Sequence, residues 1–194
     1  MKQEEFRKQA HQLVDWMTDY LKNVETYPVK SQVKPKEILQ KLPQQAPEKG
    51  EDFEKIFADF QDIILPGITH WQHPAFFAYF PANTSAPSIL AEMLMATLGC
   101  QCMSWQTSPA AAELEEQVMI WLRKMLGLPE DFVGVIQDSA SGATLCAVLT
   151  AREKKSQFAI NQQGYPKDIK YTAYSSVEAH SSIEKAVRIA GIGK

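Results

Sequence analysis

The sequence predicts an α/β protein that begins with a helical arm and is rich in helices. Residues 133–155 and 169–190 each contain a short apolar segment, a turn of small residues and a helical pattern. Two such repeats in succession are typical of parallel strand–helix units. Residues 3–24 carry apolar side chains at helical spacing on an otherwise polar segment, which predicts an amphipathic helix. A lone helix of this kind covers either its own domain or a partner subunit.

Between the arm and the α/β region, further helices are expected. Residues 27–50 contain four prolines and predict an extended connection with one short helix near 36–42. An amphipathic helix is predicted over 51–64, ended by Pro66 and Gly67, and a buried helix over 88–98. The helix over 108–126 is expected to start with Ser108 as N-cap and a proline at its first position. Residues 156–167 are expected to form a polar loop.

Bulk composition excludes several classes of protein. The chain has 194 residues, 45% of them hydrophobic, and a formal net charge of -3. This length suits one well-cored domain, or one domain plus an arm, and the mild acidity predicts no binding to nucleic acid or to an anionic membrane. The charged N-terminus and the lack of a long apolar stretch predict a cytoplasmic protein with no membrane span. The three cysteines suit a reducing compartment, and their spacing makes a zinc site improbable.

The first candidate site is the turn DSASGAT, residues 138–144. Its small residues leave backbone N–H groups exposed at the start of a helix, with serine and threonine hydroxyls beside them. Such a turn binds phosphate well, because unpaired amides and the helix dipole both favour an anion. The same residues are equally compatible with an ordinary serine-capped helix.

The second candidate is His180, at the junction between the second apolar segment and its helix, in AYSSVEAHSSIEKA. A lone histidine at such a junction is more often a local hydrogen-bonding residue than a catalyst. Its position favours a functional role. The carboxyl ends of two neighbouring parallel strands would bring His180 and the DSASGAT turn to the same edge of the sheet. A flat ring beside a phosphate cradle suggests a flat, phosphorylated cofactor.

The third candidate is the aromatic segment 68–87, ITHWQHPAFFAYFPANTSAP. Its proline-punctuated aromatic residues either belong to the core or form the wall of a pocket for a flat substrate.

The segments GITHWQHPAFFAYFPANTS, SPAAAELEEQVMIWLRKMLGLP, DSASGATLCAVLTAR and YSSVEAHSSIEKA resemble the pyridoxal-phosphate-dependent group II amino-acid decarboxylases. The aromatic-L-amino-acid, tyrosine and histidine decarboxylases are the most similar members, from about residue 6 onward. The resemblance implies an arm and dimerisation segment over 1–80. It also implies that 81–194 form the first part of the large domain of a type I PLP-transferase, of the aspartate-aminotransferase kind.

The resemblance also implies roles for particular residues. Ala140 and Ser141 would hold the phosphate of pyridoxal 5'-phosphate (PLP). His180 would stack on the pyridine ring and assist protonation of the carbanion left by decarboxylation. The substrate pocket would be formed by Trp71, Tyr79, Phe80, Pro81, Gln101 and Met103. The family is homodimeric, with its N-terminal helix over the partner subunit, and the resemblance implies a small-molecule substrate, an aromatic or related amino acid.

The chain departs from the family in several respects. None of its four histidines is followed by lysine, whereas the family forms its Schiff base through a lysine after histidine. The family's aspartate for the pyridine nitrogen is expected beyond residue 194, so the 194-residue chain alone is expected to be inactive. Gln101, Met103 and Ala82 replace an Ile, a Phe and a hydroxyl residue of the animal aromatic enzymes. Two interpretations follow: the N-terminal part of a decarboxylase, or a non-catalytic, dimerising relative.

Overall fold

The computed structural model describes residues 1–80 and 84–193. The chain divides into two compact units, Met1–Leu98 and Gly99–Lys194. The α-helices of the described residues are α1 (Gln3–Asn23), α2 (Glu37–Lys41), α3 (Phe53–Asp59), α4 (Ala86–Leu98), α5 (Pro109–Met125), α6 (Ala140–Ser156), α7 (Ala159–Gln163) and α8 (Ser181–Ile189). Short 3₁₀ turns cover Val24–Thr26 and Leu65–Gly67, and one π-helical turn covers Phe60–Ile64.

An aromatic cluster organises the first unit. Trp16 of α1 meets Phe57 and Phe60 edge-on, with ring centroids 5.9 Å and 5.2 Å apart. Trp16 also stacks on Tyr20 one turn later, at 5.4 Å. The apolar stripe predicted on residues 3–24 therefore packs against the helix predicted at 51–64. Edge-to-face and offset-stacked pairs of this kind add about 0.5–1.5 kcal/mol each beyond the area they bury.

Packing of α6 against α8 organises the second unit. The buried face of α8 is formed by Ser182, Ala186 and Ala190, which are four residues apart and small enough for close helix contact. Arg152 near the end of α6 donates from Nη1 to the carbonyl oxygen of Ala190, at 2.7 Å. Its guanidinium also pairs with Glu153, whose other carboxylate oxygen accepts from the Asn161 amide of α7 at 3.1 Å. One ion pair thus ties three helices together.

The helices predicted at 3–24, near 36–42, at 51–64, 88–98 and 108–126, and after both small-residue turns are all confirmed. Ser108 does precede α5 and Pro109 is its first residue, but the Ser108 side chain makes no cap hydrogen bond. The loop predicted at 156–167 contains the short helix α7, which the buried side chain of Ile160 anchors.

Two expectations were wrong. Residues 133–137 and 169–176 form no strand ladder within the described ranges, because a strand needs a hydrogen-bonded neighbour and these segments do not pair with each other. The helix α4, predicted to be buried, exposes its apolar side chains; Leu94, for example, is 64% exposed. Nothing among the described residues covers that face of α4.

Candidate functional site

The DSASGAT turn opens α6 and is capped by its own serine. The Ser139 hydroxyl accepts a hydrogen bond from the Gly142 amide at 3.1 Å, which satisfies one of the free donors of the first helical turn. The Ala143 amide donates to the carbonyl of Ser139 at 2.9 Å, and the Thr144 hydroxyl donates to the carbonyl of Ala140 at 2.8 Å. The serine-capped interpretation of this turn is therefore correct, whether or not the turn also binds an anion.

The donors that remain in this turn suit a phosphate. Ala140 and Ser141 are exposed, and their amides are at the helix start, where no acceptor precedes them within the helix. Among the described hydrogen bonds none uses those two amides or the Ser141 hydroxyl. Two amides, one hydroxyl and the positive end of a 17-residue helix can hold an anionic group.

Asp138 adds a negative charge to the same turn. A Cβ built on Gly142 would lie 2.3 Å from Asp138 Oδ1, so the carboxylate occupies the space where a side chain at 142 would begin. The Ser139 hydroxyl lies 3.4 Å from the same oxygen. An aspartate near a helix N-terminus stabilises the helix, but it also repels a bound phosphate. The sequence shows that an aspartate precedes the turn, but only the structure shows that its carboxylate lies beside Gly142.

His180 is the N-cap of α8. Its Nδ1 accepts from the Ser182 amide at 3.2 Å and lies 3.0 Å from the Ser182 hydroxyl. An Nδ1 that accepts from an amide places the proton of the neutral ring on Nε2. The imidazole is exposed, whereas its partner Ser182 is buried. The cap fixes the ring through one nitrogen and leaves the Nε2–H edge available.

Within the aromatic segment, the structure brings together two of the predicted substrate-wall residues. The Trp71 ring lies 5.7 Å from Tyr79 at an interplanar angle of 14°, and 4.7 Å from Phe76. Tyr79 adopts a left-handed backbone conformation, with φ at 59°. Phe80 follows with its ring 98% exposed, so this part of the segment is not core. Pro81 and Ala82 lie outside the described residues.

The loop before α5 holds the other two predicted pocket residues. Gln101 and Met103 are both exposed. Met103 borders a shallow hollow of about 430 Å³, together with Trp105 and Phe132. Trp105 is held by a hydrogen bond from its Nε1 to Glu113, at 2.8 Å. The three cysteines, of which two are in this loop, are free and exposed.

Sequence reasoning overlooked His70, the most deeply buried large side chain among the described residues. Its Nδ1 lies 2.7 Å from the Tyr20 hydroxyl. Burial and the nearby charge of His73 lower the pKa of His70. The sequence signal was weak: a histidine beside a tryptophan, with its partner fifty positions earlier.

Comparison with known proteins decides what these features belong to. Residues 35–193 match the model of the pyridoxal-dependent decarboxylase conserved domain.

The chain belongs to the pyridoxal-dependent decarboxylase family.

Similar proteins are plant enzymes. The chain is 45% identical to a tryptophan decarboxylase of Camptotheca acuminata, over 97% of the chain and 38% of that protein. It is 44% identical to a phenylacetaldehyde synthase of Arabidopsis thaliana, over 99% of the chain and 40% of that protein. The crystal structure of Catharanthus roseus tryptophan decarboxylase in complex with L-tryptophan matches with a TM-score of 0.89 and 42% identity, over 99% of the chain and 40% of that structure.

These matches confirm the predicted family and fold class. The chain has the helix-rich first part of the type I PLP fold, and it spans about 40% of the relatives it matches. Members of this family depend on PLP, and the residues of the DSASGAT turn fit its phosphate by their donors. Within the described ranges no helix is long and apolar enough to cross a bilayer, and no group of three or more potential metal ligands converges.

Proposed function

We propose that the intact protein to which this chain contributes is a PLP-dependent decarboxylase of aromatic L-amino acids. The observation that carries the proposal is that the DSASGAT turn and His180 stand at the starts of α6 and α8, two helices that pack together. The helices α6 and α8 pack together and meet at their C-terminal ends through Arg152 and Ala190. We expect their N-termini to lie at the same edge of the sheet. Consecutive units of a parallel sheet place their helices in this way.

The turn and the histidine divide the work of holding the cofactor. The amides of Ala140 and Ser141, with the Ser141 hydroxyl, would bind the phosphate. His180 would stack on the pyridine ring and, through the Nε2 edge that its cap leaves free, would hold or move a proton at the substrate's α-carbon. PLP supplies an electron sink for the pair of electrons that stays when the carboxylate departs.

Aromatic substrates are favoured by the wall of rings in the aromatic segment. Trp71 and Tyr79 already stack on each other, and the exposed Phe80 follows them in the chain. Pro81 belongs to the same proposed pocket, although it lies outside the described residues. Gln101 and Met103 act from a loop that reaches the partner's pocket. A polar and a flexible side chain there tune the choice among aromatic amino acids.

The working protein is a cytoplasmic homodimer in this proposal. An apolar groove of about 630 Å³, lined by residues that include Phe6, Leu13 and Met93, is open along α1 and α4. The exposed apolar face of α4 supports the same conclusion, because a face of this kind is normally covered by another chain. Residues 1–80 serve as the arm and dimerisation segment and 81–194 as the start of the large domain, in which 133–137 and 169–176 pair with strands from the rest of the protein.

Product analysis of the full-length protein tests the proposal. Loaded with PLP, it is expected to release carbon dioxide from tyrosine, tryptophan, DOPA or phenylalanine, with histidine and glutamate as comparison substrates. Amine is the expected organic product; aldehyde instead of amine would place the protein with the aldehyde synthases, which are also among its relatives. No turnover of any of these substrates would favour the non-catalytic, dimerising relative.

Two controls sharpen this experiment. The 194-residue chain alone is expected to be inactive and to bind PLP reversibly, so borohydride leaves no stoichiometric lysine adduct. Replacing Gln101 and Met103 together by Ile and Phe is expected to shift kcat/KM towards bulky aromatic substrates. Unchanged relative kcat/KM would remove these two residues from the pocket.

A further inference from the structure

His70 joins three segments of the first unit. Its side chain is only 2% exposed, and its Nδ1 lies 2.7 Å from the hydroxyl of Tyr20 in α1. Its ring centroid is 4.8 Å from that of Tyr27, just after the first 3₁₀ turn. Its own amide donates to the carbonyl of Val29 at 3.0 Å. This residue therefore ties the aromatic segment to α1 and to the connection that follows α1.

The part of the aromatic segment that follows His70, residues 71–80, begins with Trp71. The Trp71 ring contacts Phe76 and Tyr79, so a displacement of Trp71 also displaces these two rings. Beyond that cluster, Phe80 is exposed, and its own contacts do not hold it to the arm. His70 is thus the buried attachment point of this segment, and His73 makes a more exposed contact, with its Nε2 3.3 Å from the carbonyl oxygen of Glu25.

The surroundings of His70 suit only a neutral ring. The titratable groups that face it are Tyr20 from α1, Tyr27 from the following turn, His73 from its own segment and Glu37 from α2 across a shallow cavity of about 400 Å³. Glu37 is already engaged, since its carboxylate accepts from the Lys34 amide and pairs with Lys41. His73 adds a positive charge when it is protonated. Burial and His73 both lower the pKa of His70, and no carboxylate among the described residues pairs with its ring.

We propose that His70 is a positioning residue that holds the aromatic segment 71–80 to the first helix while its ring is neutral, and that protonation of the ring releases the segment. In the neutral state, one hydrogen bond with Tyr20 satisfies the buried Nδ1. A protonated ring would still bond Tyr20, but it would carry an uncompensated charge at a largely buried position. Exposure of the ring then becomes favourable, and Trp71 moves with it. This inference does not depend on the proposed enzymatic function.

The direction of the pH dependence follows from the lowered pKa. When the segment is released, His70 regains its ordinary pKa near 6.5 and binds a proton more readily than in the held state. The held state is therefore fully favoured above that value and becomes progressively less favoured as the pH falls below it.

Fluorine NMR of the 194-residue chain labelled with 5-fluorotryptophan tests the proposal. The resonance of Trp71, assigned with Trp71→Phe, is expected to change between about pH 7.5 and about pH 5, the range in which histidines titrate. The midpoint should coincide with the titration of the His70 ring followed by its own carbon resonance. Trp105 and Trp121, in the other unit, serve as internal references and should not follow this transition.

Three variants separate positioning from a purely structural role. His70→Gln should abolish the Trp71 transition, and Tyr20→Phe should move the Trp71 resonance towards its low-pH position already at about pH 7.5. His73→Gln removes the neighbouring charge, leaves the Tyr20–His70 pair in place and keeps a donor for the carbonyl oxygen of Glu25, so the midpoint should shift upward. A Trp71 transition that persists in His70→Gln, or a midpoint that His73→Gln leaves unchanged, would overturn the proposal. Should His70→Gln fail to fold, the midpoint shift in His73→Gln decides by itself.

Discussion

The segments around His70 and His180 offer a comparison within one chain. Both histidines use Nδ1 for a hydrogen bond, yet the partner of His70 is Tyr20, fifty positions away, whereas the partner of His180 is Ser182, two positions away. His70 is buried among aromatic rings and His180 is exposed at a helix start. A local partner leaves a histidine ring accessible for chemistry. A partner distant in sequence makes the ring a contact that links two segments of the chain.

The largest expected effect concerns His180. Its variants distinguish the role of the side chain as a helix N-cap from its proposed role in proton transfer. In the full-length enzyme, His180→Asn keeps a good N-cap acceptor for the Ser182 amide but cannot handle a proton. We expect kcat per bound PLP to fall by roughly 10²–10⁴-fold, the usual contribution of a positioned acid or base. His180→Phe should keep the stacking contact and lose activity to the same extent.

Cofactor binding is the control for that experiment. The affinity for PLP should change little in His180→Phe, because the Ala140 and Ser141 donors remain. The loss of stacking in His180→Asn should weaken binding by about 1 kcal/mol, the size of an ordinary aromatic contact. Normal turnover by His180→Phe would leave His180 with only its role as a cap.

The second prediction concerns stability and should reverse the ranking of the two histidines. His70→Ala removes a buried ring and leaves the Tyr20 hydroxyl without its partner, which should lower the free energy of unfolding of the first unit by about 3 kcal/mol. His180→Ala removes only a helix cap and should lower the free energy of unfolding of the second unit by about 1 kcal/mol. Hydrogen exchange of the amides in α1 and α8 measures the two effects separately. Equal protection losses would mean that burial does not distinguish the two sites.

The smallest expected effect tests the proposed phosphate site in the DSASGAT turn. Asp138→Asn removes a negative charge from the DSASGAT turn, and a charge a few ångströms away through water is worth about 1 kcal/mol, or roughly fivefold in affinity. We expect PLP to bind the 194-residue chain about fivefold more tightly in Asp138→Asn, with a smaller effect at high salt. Asp131→Asn, an exposed neutralisation elsewhere in the same unit, is the matched control.

Gly142 provides a structural check on the same pair of residues. Gly142→Ala alone should destabilise α6, because its Cβ would lie 2.3 Å from Asp138 Oδ1. With Asp138→Ala beside it, Gly142→Ala should stabilise the helix by up to about 1 kcal/mol, the intrinsic preference of alanine over glycine. Additive effects of the two substitutions in thermal unfolding would contradict the contact.

Helices were predicted well because their signals are local. The stripe of α1, the proline that opens α5 and the serine that caps α6 each lie within a few residues of the structure they specify. The DSASGAT turn and the family membership were likewise accessible from contiguous residues. The short helix α7 was missed because its anchor, the buried side chain of Ile160, depends on a contact from elsewhere in the fold.

Tertiary structure decided the features that depend on partners distant in sequence. The apolar pattern of residues 133–137 and 169–176 predicts strands, but pattern alone cannot provide the neighbouring strand that completes a ladder. The apolar character of α4 was plain, but whether its face is covered depends on what packs against it. His70 was overlooked for the same reason: its burial arises only when α1 and the turn at Tyr27 close over it. The sequence by itself thus determined the helices, the serine-capped turn and the family, because each depends on residues that are adjacent in the chain. The exposure of α4, the pairing of residues 133–137 and 169–176 and the contacts of His70 could be read only from the folded chain, because each depends on contacts between distant segments.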